Sequence, residues 1–325
     1  MNKLTRLLLS ACLLLSQGLA AAVKVPGPVV DTDWLAANLD QVVVLDVRKD
    51  VASFSQPAKL AKDKKSGKLS IVAVGGHVPG AHLVDYKKTR VKQKLGDIEL
   101  TGMLPKADDF QKLIREAGVN TDSAVVIMSK GMSDGDMTMA TRLYWQLKYY
   151  GQDNMAIVNG GMAQWLLDGH QTVASKPAPG NGNWVAGPGR KDILASSDDV
   201  AAVLGKGDIQ LVDYRPLGMY LGTSKKSYVY DKGHIPGAKS FPNELITSPT
   251  VPAKFPSVSE LQALYKAMSV DADAPSIGNC NSGHLASGGW FLQHEILGNE
   301  NVKLYDGSMN EWTLEKRPVK AMVRE

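Results

Sequence analysis

Gly76-His-Val-Pro-Gly-Ala81 returns later in the chain as Gly233-His-Ile-Pro-Gly-Ala238. Upstream of each copy, Val44-Leu-Asp-Val-Arg48 matches Leu211-Val-Asp-Tyr-Arg215. Downstream, Val158-Asn-Gly-Gly-Met-Ala-Gln-Trp165 matches Tyr305-Asp-Gly-Ser-Met-Asn-Glu-Trp312. Three matches in one order identify a duplicated domain. Within each half, short apolar runs alternate with helix-type segments. The runs at 41–45, 124–128 and 155–158 predict buried strands in the first half, and those at 209–213, 276–279 and 302–305 in the second. Asp136 is placed to cap a helix whose apolar face is Ala140, Leu143, Tyr144 and Leu147, with Gly151 ending it. The expected fold class is therefore α/β: two tandem domains, each a parallel sheet with helices on both faces. Residues 176–190, rich in Pro and Gly at their start, suit a linker between domains at 23–175 and 191–325.

Residues 1–22 read as a secretory leader. Lys3 and Arg6 precede the apolar stretch 7–15, and small residues at 18–22 offer cleavage after Ala20 or Ala22. The stretch is too short to span a membrane. Leu9-Ser-Ala-Cys12 offers a lipoprotein alternative, although the apolar run continues past Cys12. The mature protein is then expected to be soluble and exported, in the periplasm, with no membrane attachment. Losing Lys3 and Arg6 takes the formal charge of +4 to about +2. Lysines and acids are interspersed and no basic stripe carries stacking aromatics, which argues against nucleic acid as a partner.

Cleavage also removes Cys12, leaving Cys280 as the sole thiol, so no internal disulfide can hold the mature fold. Cys280 follows the apolar run 275–279 and opens the small-residue loop Asn281-Ser-Gly-His284, ahead of a helix-type segment at 285–297. Such a loop turns backbone N–H groups and a helix N-terminus towards the sulfur, and both favour a thiolate or an anion bound to it. In a parallel sheet the reactive site lies beyond the carboxyl ends of the strands, where Cys280 falls. A buried thiol that merely packs is the plainer alternative. The chain has no Cys-x-x-Cys, which argues against dithiol redox chemistry and cysteine zinc clusters.

Paired Asp-x-Arg, Gly-His-Ile-Pro-Gly-Ala, the Cys-x-x-Gly loop and Tyr-Asp-Gly-Ser-x-x-Glu-Trp, in series over nearly all of residues 30–320, resemble the tandem rhodanese-type sulfurtransferases. The resemblance implies two rhodanese-like domains, of which the second carries the catalytic cysteine. Aligning the halves places Ser129 opposite Cys280, so the first domain forms no persulfide and closes one side of the cleft. The implied reaction moves a sulfane sulfur from a small donor such as thiosulfate to cyanide or a thiol through a Cys280 persulfide. The persulfide itself does this chemistry, so no organic cofactor or metal is implied. Backbone N–H groups of 281–286 would hold the anionic persulfide, with Gly283 permitting the tight curl. Ala286 stands where the related phosphatases carry the arginine of Cys-x5-Arg, which argues against phosphatase activity.

Compared with thiosulfate-specialised members, Asn281 and Ser282 stand in place of Arg and Lys, Met219 in place of an anion-binding arginine, and Leu285 in place of Thr or Ser. Losing a buried charge-assisted contact costs about 1.5–3 kcal/mol. Mercaptopyruvate is therefore a rival donor, and a low-turnover sulfur-carrying or binding module a rival role. His284 either lines the site or points away, and Lys225 and Lys226 either approach it or are solvated. The pairs His77/His234, Asp46–Arg48/Asp213–Arg215 and Trp165/Trp312 recur in both halves and read as scaffold. Met128, Met132, Met137 and Met139 read as gap fillers, with a copper(I) site as the alternative.

Overall fold

The computed structural model describes residues 23–322; the leader expected at 1–22 lies outside the described residues. The first sheet has five parallel strands in the spatial order Val29–Val30, Met155–Val158, Ala124–Met128, Val42–Arg48 and His82–Asp85. The second repeats that order with Leu194–Ala195, Val302–Tyr305, Ser276–Asn279, Gln210–Asp213 and Lys239–Ser240. Helices cover both faces, so the central strands are buried on both sides, and Ala124–Met128 and Met155–Val158 are unbroken apolar runs. The strand expected at 41–45 lies at Val42–Arg48. It absorbs two charges because Arg48 pairs with Asp46 at 2.6 Å and donates to the Gly76 carbonyl at 2.6 Å.

The second domain repeats this clamp, with Arg215 on Asp213 at 2.7 Å and on the Gly233 carbonyl at 2.7 Å. Each Arg thus ties a strand to its glycine-histidine turn. His77 stacks on Phe54 at 3.6 Å, and His234 stacks on Tyr220 at 3.9 Å. Their Nδ1 atoms lie 2.9 Å from the Phe54 carbonyl and 2.7 Å from that of Tyr220. Trp165 and Trp312 are buried and donate Nε1–H to the carbonyls of Gln171 and Pro318. The repeated residues therefore hold the scaffold.

The first domain also carries two antiparallel hairpins, Lys59–Lys62 with Leu69–Ala73 and Val91–Leu95 with Ile98–Met103. The second hairpin crosses to the other domain. Thr101 donates its N–H to Asn310 at 2.9 Å, and Leu104, just beyond the hairpin, donates to Asp306 at 2.8 Å.

Asp134–Tyr149 is the helix that joins the two domains. Its N-cap is Ser133 rather than Asp136: the Ser133 hydroxyl accepts from the Asp136 N–H, while the Asp136 carboxylate reaches back to the Met132 N–H. Residues 137–147 are buried all round, which an apolar stripe alone does not explain. The second domain covers the polar flank. Thr138 Oγ1 lies 3.0 Å from His284 Nε2, Thr141 Oγ1 lies 2.9 Å from Ser287 Oγ, and the Tyr144 hydroxyl donates to Glu295 at 2.7 Å. Arg142 and Asp306 make a buried ionic contact of 2.6 Å. Gly288 is needed here, since a Cβ would sit 2.7 Å from Thr138 Cγ2. The segment expected as one helix at 285–297 is an α-helix, His284–Trp290, followed by π-helical turns at Phe291–Ile296.

Residues 176–190 form a strap laid along the first domain rather than a free tether. Gly180 and Gly182 donate to the carbonyls of Glu116 and Arg115, Trp184 is buried, and Arg190 pairs with Asp153 at 2.6 Å. A Cβ on Gly182 would lie 2.0 Å from the Val119 carbonyl oxygen, so only glycine allows this approach.

Breaking a buried ion pair by removing one partner costs about 3–5 kcal/mol. Arg142→Met should therefore lower the urea unfolding free energy by about that amount, and adding Asp306→Leu should restore part of it. A loss below about 1 kcal/mol for the single variant, the range of exposed pairs, would show that the contact does not hold the domains.

Candidate active site

The strand Ser276–Asn279 delivers Cys280 to the sheet's carboxyl edge, where the chain curls through Asn281, Ser282 and Gly283 into the helix starting at His284. Gly283 has φ 72°, and a Cβ there would lie 2.5 Å from Asp306 Oδ1 and 2.6 Å from Arg142 Nη1. Backbone sign and space both demand glycine. Ser308 fastens the two ends of the curl. Its Oγ accepts from the N–H of Cys280 at 3.1 Å and of Gly283 at 3.2 Å, and donates to the Tyr305 carbonyl at 2.7 Å. It does so from φ 50°, where the first domain has Gly161 at φ 55°. A non-glycine residue held there stores about 1–3 kcal/mol of strain. The Gly283 N–H is thus committed to Ser308 and does not face the sulfur. The N–H groups of Asn281, Ser282 and the first helical residues have no protein acceptor among the described residues.

Cys280 is 1% exposed and forms part of the wall of a cavity of about 680 Å³ shared by both domains. Asn281, Ser282, His284 and Leu285 also line it. Met219 and Gly283 are outside the wall. Met219 is half-buried, with its sulfur accepting from the Asn281 amide at 3.5 Å. Lys226 lines the cavity, whereas Lys225 donates its Nζ–H to the Val229 carbonyl at 2.8 Å. His284 does line the site, but not as a cation. Burial, reinforced by the charges of Arg90 and Arg142, pushes its pKa down to about 3. Tyr86, raised to about 12 by burial, and Tyr228, also raised by burial, remain protonated donors in the wall. The four methionines do not gather at one point: Met128 and Met132 belong to one core, Met137 and Met139 to another.

The first domain supplies what the duplicated motifs did not reveal. Arg90 extends one Nη2 to both the carbonyl and the hydroxyl oxygen of Ser282, each at 2.7 Å, while its Nε donates to the Gly102 carbonyl at 3.1 Å. Gly102 leaves the room for it, because a Cβ would sit 2.0 Å from that Nη2. Lys49, Lys87 and Lys92 add further positive charge to the wall. None of these residues belongs to a repeated motif; the basic run 87–92 is the sequence trace of Lys87, Arg90 and Lys92. Opposite Cys280 in the repeat, Ser129 is fully buried and donates to Met137 Sδ at 3.4 Å. Both loops are held alike, Met162 donating to the Ser129 carbonyl at 2.8 Å and Met309 to that of Cys280 at 3.1 Å.

Two tests follow from this geometry. Ser308→Gly removes the strain and the cradle together, so the protein should keep its melting temperature while Cys280 reacts with a small sulfur donor about tenfold more slowly, the loss of roughly one net hydrogen bond. Unchanged reactivity would remove Ser308 from the site. His284 has a folded-state pKa below its unfolded value of about 6.5, so its neutral form stabilises the fold above that pH. Stability should fall as the pH drops from about 6.5 towards 3, and His284→Gln should lose less stability over that window than the parent protein.

The Rhodanese-like domain family matches residues 31–168 and again 196–315. A thiosulfate sulfurtransferase of Bos taurus is 31% identical over 245 residues, covering 73% of this chain and 77% of that protein. The sulfur carrier protein TtuD of Thermus thermophilus is 28% identical over 300 residues, covering 88% of this chain and 94% of the relative. The crystal structure of SseA from Escherichia coli, described as a 3-mercaptopyruvate sulfotransferase, is 26% identical, with a TM-score of 0.66 over 87% of this chain and 98% of that one. Repeated sheets, repeated clamps and two successive family matches agree: the chain belongs to the rhodanese family and carries two tandem rhodanese-like domains.

Proposed function

We propose that this protein is a sulfurtransferase that carries sulfane sulfur as a persulfide on Cys280. One observation carries the proposal: the sole thiol of residues 23–325 lies in the wall of a cavity between the two domains, on a loop whose amides are left for an anion. Sulfur transfer in the bovine and Escherichia coli relatives supports it. The thiolate attacks the outer sulfur of a donor such as thiosulfate, and the S–S bond to the leaving group breaks. Sulfite departs with that bond's electron pair, leaving Cys280 as the persulfide. The free amides of Asn281, Ser282 and the first helical residues and the protonated phenols of Tyr86 and Tyr228 are the donors available to the developing charge. A thiol or cyanide then removes the sulfur and regenerates the thiolate. 3-Mercaptopyruvate is the alternative donor, leaving as pyruvate.

A slower role as sulfur carrier is the second reading. It is favoured by a loop without any cationic side chain between Asn281 and Leu285, and by the name of the Thermus relative. We further propose that residues 1–22 direct export to the periplasm, that 23–175 is the non-catalytic and 191–325 the catalytic domain, and that 176–190 connects them. Recovered from the periplasm, the chain should begin at Ala21 or Val23; an intact leader there would contradict export by cleavage.

Intact mass spectrometry after brief exposure to thiosulfate or 3-mercaptopyruvate tests the proposal, with Cys280→Ser as control. One added sulfur, absent from the variant and released by cyanide, is expected. Failure of both donors to load a folded, reduced protein would refute the persulfide mechanism. Loading followed by very slow release would favour the carrier.

A further inference from the structure

We infer that the mouth of the cavity holds a second subsite, built by Lys49, Lys87 and Lys226, which selects a sulfur acceptor bearing carboxylates at a distance from its thiol. The inference rests on the persulfide mechanism proposed above. Five cationic residues line the cavity, Lys49, Lys87, Arg90, Lys92 and Lys226, against one carboxylate, that of Asp136. Two of the five are already engaged: Arg90 with Ser282 and Gly102, and Lys92 with Glu99 at 2.7 Å. The side chains of Lys49, Lys87 and Lys226 have no hydrogen-bond or ion-pair partner among the described residues, although two different domains bring them to one cavity.

The three unengaged charges differ from the reacting atom in burial. Cys280 is 1% exposed, whereas the three lysines are exposed at the rim. Between them the loop offers no cationic side chain, and His284 is neutral. A cavity of about 680 Å³ also falls within the roughly 300–1,000 Å³ that accommodates organic ligands of several functional groups. An extended thiol fills it with its sulfur at Cys280 and its carboxylates on the lysines. Exposed charge pairs are individually weak and screened by salt, so the selectivity is a sum of small terms that salt suppresses.

In the transfer step the acceptor thiol, as thiolate, attacks the outer sulfur of the persulfide. A new S–S bond forms on the acceptor while the Cys280–sulfur bond breaks, and its electron pair returns to Cys280 as thiolate. The thiol proton passes to solvent, and no external oxidant or reductant is consumed.

The test separates loading from discharge. The protein is loaded with thiosulfate or 3-mercaptopyruvate, freed of donor, and discharged with 2-mercaptoethanol, mercaptoacetate or N-acetylcysteinyl-aspartate, whose carboxylates stand well away from its thiol. Loss of the added sulfur is followed by intact mass, and rates are compared per thiolate. At low salt N-acetylcysteinyl-aspartate should exceed 2-mercaptoethanol by about tenfold, mercaptoacetate, whose carboxylate adjoins its sulfur, should gain little, and the advantage should shrink as salt is added. The triple variant Lys49→Gln/Lys87→Gln/Lys226→Gln should lose most of that preference. Lys64→Gln/Lys65→Gln, neutralising exposed lysines outside the cavity wall, should retain it. Equal rates for the three thiols, or a preference that survives the triple variant, would overturn the rim subsite. Failure to load would appear before any thiol is added and would overturn the persulfide mechanism together with the subsite that depends on it.

Discussion

The contact between Arg142 and Asp306 is the constraint on which the rest of the structure depends. Arg142 is fully buried on the joining helix of the first domain, and Asp306 sits in the second domain's Tyr-Asp-Gly-Ser motif, 2.6 Å away. Each does more than neutralise the other. Arg142 also donates to the carbonyl of Gly283 at 3.3 Å, and Asp306 accepts from the N–H of Leu104 at 2.8 Å. One ion pair therefore touches the cysteine loop, the joining helix and the segment that follows the crossing hairpin. A buried pair of this kind adds little net stability compared with apolar packing, but it penalises any arrangement in which either partner is left alone. It fixes one orientation of the two domains.

That orientation gives the cysteine-free domain its work. The loop around Cys280 has amides and hydroxyls but no charged side chain, and its histidine is kept neutral by burial. Positive charge comes from across the interface, with Arg90 gripping Ser282 and the lysines standing further out. Duplication left the two loops with the same backbone anchoring, through Met162 to Ser129 and through Met309 to Cys280. One copy carries the sulfur atom. The other, with Ser129 buried against Met137, became the wall that shapes the site.

What the sequence made legible follows from the physics of each feature. Strands buried on both faces favour unbroken apolar runs, so Ala124–Met128 and Met155–Val158 were readable to the residue, and Ser276–Asn279 and Val302–Tyr305 kept the expected bounds although Ser276, Asn279 and Lys303 interrupt them. The duplicated clamps were readable because each acts within its own domain. Cys280 stood out as the sole thiol of residues 23–325. Arg90 left no local sign, since its partner Ser282 is 192 residues away and nothing in the other half corresponds to it. The hairpin Val91–Leu95 with Ile98–Met103 was not read from the sequence, and its function lies in contacts that only the assembled domains create. Ser308 was visible as part of a motif, and its task was not. A serine at φ 50° holding both ends of the loop is a three-dimensional fact.

The central claim is that both domains together present Cys280 as the sulfur-carrying atom. The most direct test is a crystal structure of the protein after exposure to thiosulfate. The account predicts one additional sulfur bonded to Cys280 Sγ and facing the shared cavity, with Arg90 still donating to Ser282 and Arg142 still against Asp306. An unmodified Cys280 beside sulfur bound on another residue, or a persulfide formed with the two domains parted, would contradict it.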